Sequence, residues 1–428
     1  MTIPAKKYLR EIQFAELLLW DVKRLFLSKS KYSHQIVKLG DIFSVAKMEW
    51  IEIENDKEYP ILGVRGQGQG VYINRIAKGK ELTMRKYQKS KAFHLFYCKV
   101  RTVGGQWGIV YPEFEDSYGS SNMQYLKIDL NKILPEYFEM LLKIKKITNK
   151  WDTNAVGADG RHFPLKTLLN IEIPLPSLPE QNAIVQAYNA KIESAKEAEV
   201  KAVRLEREIE EYLMEELGIE TIEKDLKKKG LQEVRLKNLE RWDVWNKDFS
   251  INSNCFDSIK IEESILKIKG NIGKIQKNEY LESGKIPVVS QENNLISGFT
   301  NKKVSVILEE NLPVIIFGDH SKTVKFIDFQ FVCGADGVRI LRPKKEFLPE
   351  FYFYYISFIT YYIKTTQVYT RHWKYLSEMP IPLPPLPVQQ KIVQKISSMK
   401  DEIKSLKALA EQSRKEAIEN FEGEIFAV

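Results

Sequence analysis

The residues able to do chemistry in this 428-residue chain are few, and none stands in a catalytic arrangement. Gly63 to Gly70 (GVRGQGQG) could cradle a phosphate through backbone N–H groups. It lacks the GxxxxGK[ST] order and no helical pattern follows it, so it reads as a flexible loop. Gly270 to Lys274 (GNIGK) fails the same spacing. Glu282-Ser283-Gly284-Lys285 resembles half of a nuclease site, without the placed aspartate that would complete it. The five histidines form no HxxxH pair and stand near no cysteine pair, which argues against catalytic zinc. Signatures of the FxGxG or [ND]PP[YF] type, which adenine methyltransferases carry, are missing.

Binding chemistry is better represented. Arginine pairs bidentately with guanine, and Asn or Gln with adenine. One loop carries Arg65, Gln67 and Gln69; another carries Ser290, Gln291, Asn293 and Asn294. Two triplets, Arg161-His162-Phe163 and Arg371-His372-Trp373, each set a cation beside a flat ring. Arg101, Gln106, Ser121 and Asn122 in the first half, and His320, Ser321 and Lys322 in the second, complete the candidate DNA-contacting set. The alternatives are plain: solvated turns for the loops, cation–π or core packing for the triplets.

The elements that must position these residues occur twice. Ile173 to Gln181 reads IPLPSLPEQ and Ile381 to Gln389 reads IPLPPLPVQ. Proline fixes φ and removes a donor, so each run is expected to be extended and free of any ladder, closing one domain before a helix begins. Leu9–Val22 (LREIQFAELLLWDV) matches Leu231–Val244 (LQEVRLKNLERWDV) at one offset of 222, with Trp20 and Trp242 as expected core anchors. Tyr59-Pro60-Ile61-Leu62 corresponds to Ile286-Pro287-Val288-Val289, and Gly119 to Leu126 to Gly334 to Leu341. Alternating β-rich runs and loops then lead to apolar helices from Leu134 and Leu348, which predicts α+β domains. Phe351 to Ile363 (FYFYYISFITYYI) is too short to span a bilayer and reads as a buried helix. After each proline segment the period turns helical. Ile392, Ile396, Met399, Ile403, Leu406, Ala410, Ser413 and Ala417 form a seam at 4-3 spacing, and Val185, Tyr188, Ile192, Ala195, Ala202, Leu205, Ile209 and Tyr212 nearly repeat it. Helices of roughly 33 to 37 residues, ~50–55 Å long, are expected to pack on each other, with Gly218 and the KKKG run to Gly230 marking the exit from the first.

The predicted organisation is a first globular block over 1–172, a proline segment and central helix over 173–230, a second block over 231–380, and a last helix over 381–428. Charge separates along these lines. Residues 180–230 hold nine Lys/Arg against thirteen Asp/Glu and residues 388–428 seven against seven, so of the net +8 the rest of the chain carries +12. A polyanion would meet the globular blocks, leaving the helices to protein or solvent. Cys98, Cys255 and Cys333 stand far apart, and the N-terminus lacks a signal-like apolar run, so a reducing cytosol is expected.

This duplicated order resembles the specificity (S) subunit of type I restriction–modification systems, the HsdS family. The paired PLPxLPxQ segments carry the likeness, together with RHWKYLSEMPIPLPPLPVQQKIV from Arg371, IPVVSQENN from Ile286 and GQWGIVYPEF from Gly105. The resemblance implies an internally duplicated α+β chain with two target-recognition domains separated by two long antiparallel helices in a coiled coil. Each domain would read half of a split double-stranded DNA site. The helices would set the separation and dock two methyltransferase (M) subunits, and restriction (R) subunits can join. It also implies a non-catalytic, cytoplasmic prokaryotic protein without cofactors, S-adenosylmethionine and ATP/Mg being held by partner subunits. GVRGQGQG departs from the polar loop of the second block, so the residues reading DNA there stay open. A related methylation-based defence system, a stand-alone DNA-modifying enzyme and a protein-only scaffold are the competing readings.

Overall fold

The computed structural model describes residues 32–66, 68–99, 106–152, 155, 164–223, 249–268, 272–334, 337–363 and 371–426. The segments around Trp20 and Trp242 and the KKKG run lie outside them. Two units result, one within residues 1–198 plus 408–428, the other within 199–407.

In the first unit the strands are β1 (Ile36–Lys38), β2 (Phe43–Val45), β3 (Trp50–Glu52), β4 (Glu58–Val64), β5 (Val71–Lys78), β6 (Lys86–Lys89), β7 (His94–Cys98), β8 (Trp107–Val110), β9 (Tyr118–Gly119), β10 (Met123–Ile128) and β11 (Glu172–Pro174). Helices α1 (Pro135–Lys143), α2 (Lys145–Asp152) and α3 (Leu165–Leu169) precede β11, and α4 (Leu178–Glu216) follows it. The sheets run β2-β10-β7-β8, β3-β6-β9-β4-β5 and β1-β11. The second unit has β12 (Ile219–Glu223), β13 (Phe249–Ser253), β14 (Ser258–Lys260), β15 (Ile265–Leu266), β16 (Lys274–Ile275), β17 (Ile286–Val289), β18 (Gly298–Thr300), β19 (Val314–Gly318), β20 (Val324–Ile327), β21 (Val332–Gly334), β22 (Val338–Pro343) and β23 (Pro380–Pro382). Its helices are α5 (Pro349–Tyr361) and α6 (Trp373–Leu376), while α7 (Leu386–Ile425), like α4, has residues in both units. Its sheets run β15-β22-β19-β20, β16-β21-β17-β18, β14-β23 and β12-β13.

The duplication is therefore topological. The order β2-β10-β7-β8 is repeated by β15-β22-β19-β20, and the hairpin β4–β5 by β17–β18. The matched sequences YPIL and IPVV occupy β4 and β17, each of which pairs parallel with the next short strand, β9 or β21.

One expectation is overturned. The proline segments are not ladder-free: Val37 pairs with Ile173 and Ile259 with Ile381, both antiparallel. Prolines sit at alternate positions, and the residues between them keep their donors. Leu175 N–H donates to Gln35 O at 2.8 Å and Leu383 N–H to Asp257 O at 2.9 Å. The helices also begin earlier than the charged pattern indicates, at Leu178 and Leu386, giving 39 and 40 residues. Pro179 and Pro387 fall in the first turn, where the missing N–H costs nothing.

The apolar faces meet as the seam pattern requires. In the first unit Ile184 and Val185 of α4 share a core with Phe421 and Ile425 of α7, with Phe138 of α1, and with Trp107 stacked on Trp151 at 5.3 Å. In the second, Leu213 and Leu217 join Ile392, Ile396 and the buried face of α5 (Phe351, Tyr352, Tyr355, Ile359). The FYFYYISFITYYI stretch is thus a core helix. No described helix is long and apolar enough to cross a membrane. The two long helices pair antiparallel. Lys391 at the start of α7 reaches Glu216 at the end of α4 (2.6 Å), while Lys407 further along reaches Glu206 (2.7 Å). Ion pairs at a solvated edge are weakened by water and salt, so apolar burial holds the seam. Gly218, at φ +57, ends α4 in the left-handed region.

A buried glutamine ties each long helix to its domain. Gln181 Nε2 donates to the carbonyls of Lys132 and Pro176, both at 2.9 Å, while Oε1 accepts Leu134 N–H at 2.8 Å. Gln389 repeats the set with Glu346 O, Pro384 O and Leu348 N–H, all at 2.8 Å. Leu134 and Leu348 are the N-caps of α1 and α5, so the last letter of each PLPxLPxQ caps a second helix. Both glutamines are 0% exposed. Each unpaired buried group left by their removal costs about 1–3 kcal/mol. Gln389→Leu should therefore destabilise its unit by about 3 kcal/mol or more in urea unfolding, with faster hydrogen exchange at Leu348 N–H. An unfolding midpoint equal to the parent's would remove the clasp from this account.

Candidate nucleic-acid interface

In the second unit the candidate residues converge. The β17–β18 loop carries Ser290 to Asn294, the β19–β20 turn carries His320 to Lys322, and Arg371 to Trp373 lead into α6. Gln291 joins the first two: its Oε1 accepts His320 N–H at 3.2 Å and its backbone O accepts the Ser321 hydroxyl at 2.7 Å. Asn293 Oδ1 accepts the Thr323 hydroxyl at 3.3 Å. The Lys325 ammonium, 4% exposed, donates to Ser290 O at 2.8 Å and to Asn294 O. Burial lowers its pKa, with Glu292 opposing.

Asp319 ties in the third segment. Its Oδ1 accepts Trp373 N–H at 2.8 Å, its backbone O accepts His372 N–H at 2.8 Å, and its own N–H donates to Gly337 O at 2.7 Å. His372 is buried, and that burial, reinforced by Lys322, lowers its pKa against the pull of Asp319. Lys322 adopts φ +59 and donates its ammonium to Ile363 O at 2.9 Å. The cluster divides in two. Ser290 and His372 are buried, and Gln291 holds its neighbours; Asn293, Asn294, His320, Ser321 and Arg371 face solvent. Spatial packing alone identifies Asp319 and Lys325 as the posts of this arrangement; neither carries a sequence signal linking it to partners 31 to 54 positions away.

In the first unit the glycine-rich run is the β4–β5 turn. Arg65 N–H donates to Gly70 O at 3.0 Å, and its exposed guanidinium lies 4.3 Å from the Tyr72 ring centroid. Gly68 (φ +66) is buried on α1, where a Cβ would stand 2.7 Å from Lys143 Cγ and 3.0 Å from Glu139 O. Beneath it Glu139 accepts Ile109 N–H at 3.2 Å and the Tyr111 hydroxyl at 2.9 Å. Burial raises the Glu139 pKa, and those two hydrogen bonds, together with the nearby Lys143 charge, oppose the rise. The run is a seated turn, with Arg65 and Gln69 projecting from it. Ser121 and Asn122 form the β9–β10 turn, pinned by Gln88 Nε2 donating to Ser120 O (3.1 Å) and Met123 O (3.2 Å). Gln106 is half-buried, one residue before β8. Gln67, Arg101, Arg161 and His162 lie outside the described residues.

These surfaces offer amides, hydroxyls and guanidinium groups on supported turns. Such an array suits the recognition of an extended polar partner.

Comparison with known proteins agrees with the fold. The family model described as "Type I restriction modification DNA specificity domain" matches residues 33–202 and again 258–412. No curated protein sequence matches the chain. Among solved structures, the chain is similar to one from work on complex assembly and conformational transition of the type I R-M system, with TM-score 0.54 and 15% identity over 91% of this chain and 98% of that one. It is also similar to the HsdS subunit from Thermoanaerobacter tengcongensis (0.47, 15%, 91% and 97%). A third is the type I restriction-modification S subunit from M. genitalium (0.43, 16%, 91% and 96%). Matched twice over most of its length, the chain belongs to the family of type I restriction–modification DNA specificity domains.

Proposed function

We propose that this chain is the non-catalytic recognition subunit of a type I restriction–modification complex. Each unit reads one half of a bipartite, asymmetric site in double-stranded DNA. The paired long helices set the separation of the half-sites and dock methyltransferase subunits, two per chain, with restriction subunits joining to cleave. S-adenosylmethionine, ATP and Mg belong to those partners in this reading, and the assembly works in a prokaryotic cytoplasm.

The observation that carries the reading is that the equivalent hairpin turns β4–β5 and β17–β18 both carry supported polar side chains. In the second, Asn293, Asn294, His320, Ser321 and Arg371 stand exposed on segments fixed by Asp319 and Lys325. In the first, Arg65, Gln69 and Asn122 stand exposed on turns fixed by Gly68 and Gln88. Recognition needs ordered donors and acceptors on a rigid scaffold, because ordering them on binding costs affinity. The excess of +12 outside the helical tracts supplies the sequence-independent attraction to phosphate.

Two experiments test this. The highly purified chain alone should neither methylate nor cut DNA; with a methyltransferase subunit it should direct N6-adenine methylation to one split motif, read by mapping methylated adenines. Methyl transfer by the chain on its own would overturn the reading. Gly68→Ala places a Cβ against Lys143 and Glu139 in a backbone region that alanine disfavours. It should cost about 1–3 kcal/mol of stability and weaken discrimination at one half-site only. Equal loss at both half-sites would contradict the assignment of one half-site to each unit.

A further inference from the structure

One arginine outside the set suggested by sequence stands at the centre of the second unit's cluster. Arg339 lies on β22, directly opposite Phe317 of β19. Its side chain is 46% exposed, but its guanidinium has fixed neighbours. Asp319 Oδ2 stands 3.8 Å from Nη2, and the Trp373 ring centroid stands 5.9 Å from Cζ. Both neighbours are held from behind. Asp319, 3% exposed, receives the N–H groups of His372 and Trp373, and Trp373 leans on Phe317 at 6.3 Å between centroids.

We propose that Arg339 is a base-reading residue of the second unit, presenting its guanidinium fork to the O6 and N7 of a guanine in duplex DNA, with Asp319 and Trp373 as positioning residues. A carboxylate beside the guanidinium balances part of its charge and so blunts attraction to phosphate, which is sequence-independent. The same carboxylate and ring limit the orientations of the fork, and bidentate contact with guanine needs that alignment. Lys322, in the same cluster, gives its ammonium to Ile363 O and, as a lysine, has no fork to present.

A second observation comes from the repeat. The ladder position that Arg339 holds opposite Phe317 is held in the first unit by Gln124, opposite Tyr97 of β7. Gln124 is half-buried, its Nε2 donating to Tyr125 O at 3.3 Å, and a glutamine amide is the side chain suited to adenine. One register position thus carries a guanine-type fork in one unit and an adenine-type amide in the other. Modules that read different half-sites need such a difference.

The inference rests on the proposed function, and the test separates the two. Full-length wild-type chain, Arg339→Ala, Arg339→Lys and Asp319→Asn would each be assembled with the methyltransferase subunit. Methylated adenines would be mapped, binding compared at two salt concentrations, and thermal unfolding recorded. Arg339→Ala should lose about tenfold or more of the preference for guanine at one position of one half-site. The other half-site and the salt dependence should stay unchanged. Arg339→Lys should restore little, because a lysine is a point charge without a fork. Asp319→Asn keeps an acceptor for Trp373 N–H, so it should weaken the same position several-fold without shifting thermal unfolding.

Uniform weakening across sequences, with the salt slope reduced by about one, would mark a phosphate contact and overturn the proposal. So would a motif unchanged in every variant, or a parallel loss at both half-sites with a lowered unfolding temperature. A wild-type complex that methylates no split motif would defeat the functional reading itself. An intact wild-type motif with unaltered variants would sink this inference alone.

Discussion

Each half of the molecule depends on one side-chain amide with three hydrogen bonds. Gln181 and Gln389 sit fully buried where three backbones converge: the proline segment, the approach to α1 or α5, and the first turn of a long helix. An approaching chain with no regular partner leaves carbonyls and N–H groups that must be satisfied away from water. A primary amide supplies two donors and an acceptor in one plane, which neither leucine nor glutamate can match. With the amide in place, the helix axis is fixed to the domain core. The tyrosine hydroxyls add to this, Tyr137 donating to Pro174 O at 3.0 Å and Tyr355 to Pro380 O at 2.7 Å.

The recognition loops use the same device at smaller scale. Lys325 and Asp319 are charged groups buried to 4% and 3% exposure, and such burial is unfavourable unless every lone pair and proton finds a partner. Here the partners are loop backbones: Ser290 and Asn294 for the lysine, Trp373 for the aspartate carboxylate. Desolvation is thereby exchanged for order in segments that would otherwise be mobile turns. The first unit reaches order by another route, seating a glycine against α1 and bonding a buried glutamine to a turn. Duplicated scaffolds with separately solved loops let the two surfaces diverge without disturbing either core.

Much of this was legible in the sequence. The repeat, the seam from Ile392 to Ala417, and the buried helix from Phe351 all follow from period and composition, because apolar burial is encoded residue by residue. The equivalence of YPIL with IPVV and of GSSNMQYL with GADGVRIL held to the level of strand order, since matched apolar positions impose matched pairing. Proline removes only its own donor, so Leu175 and Leu383, lying between prolines, keep theirs for the ladder.

What the sequence by itself determined was therefore the family, the duplication and the elements, all set by local periodicity and by motifs that repeat. The tertiary structure alone decided which polar residues face outward. Ser290, Gln291 and His372 look as able to bind as Asn293, Asn294 and Arg371, yet packing buries or engages the first three and exposes the rest. It also brought Asp319, Arg339 and Trp373 together from separate segments. The physical reason is that burial of a polar side chain depends on partners supplied from elsewhere in the chain. Those partners are defined by how strands and turns meet in space, and no local pattern records them.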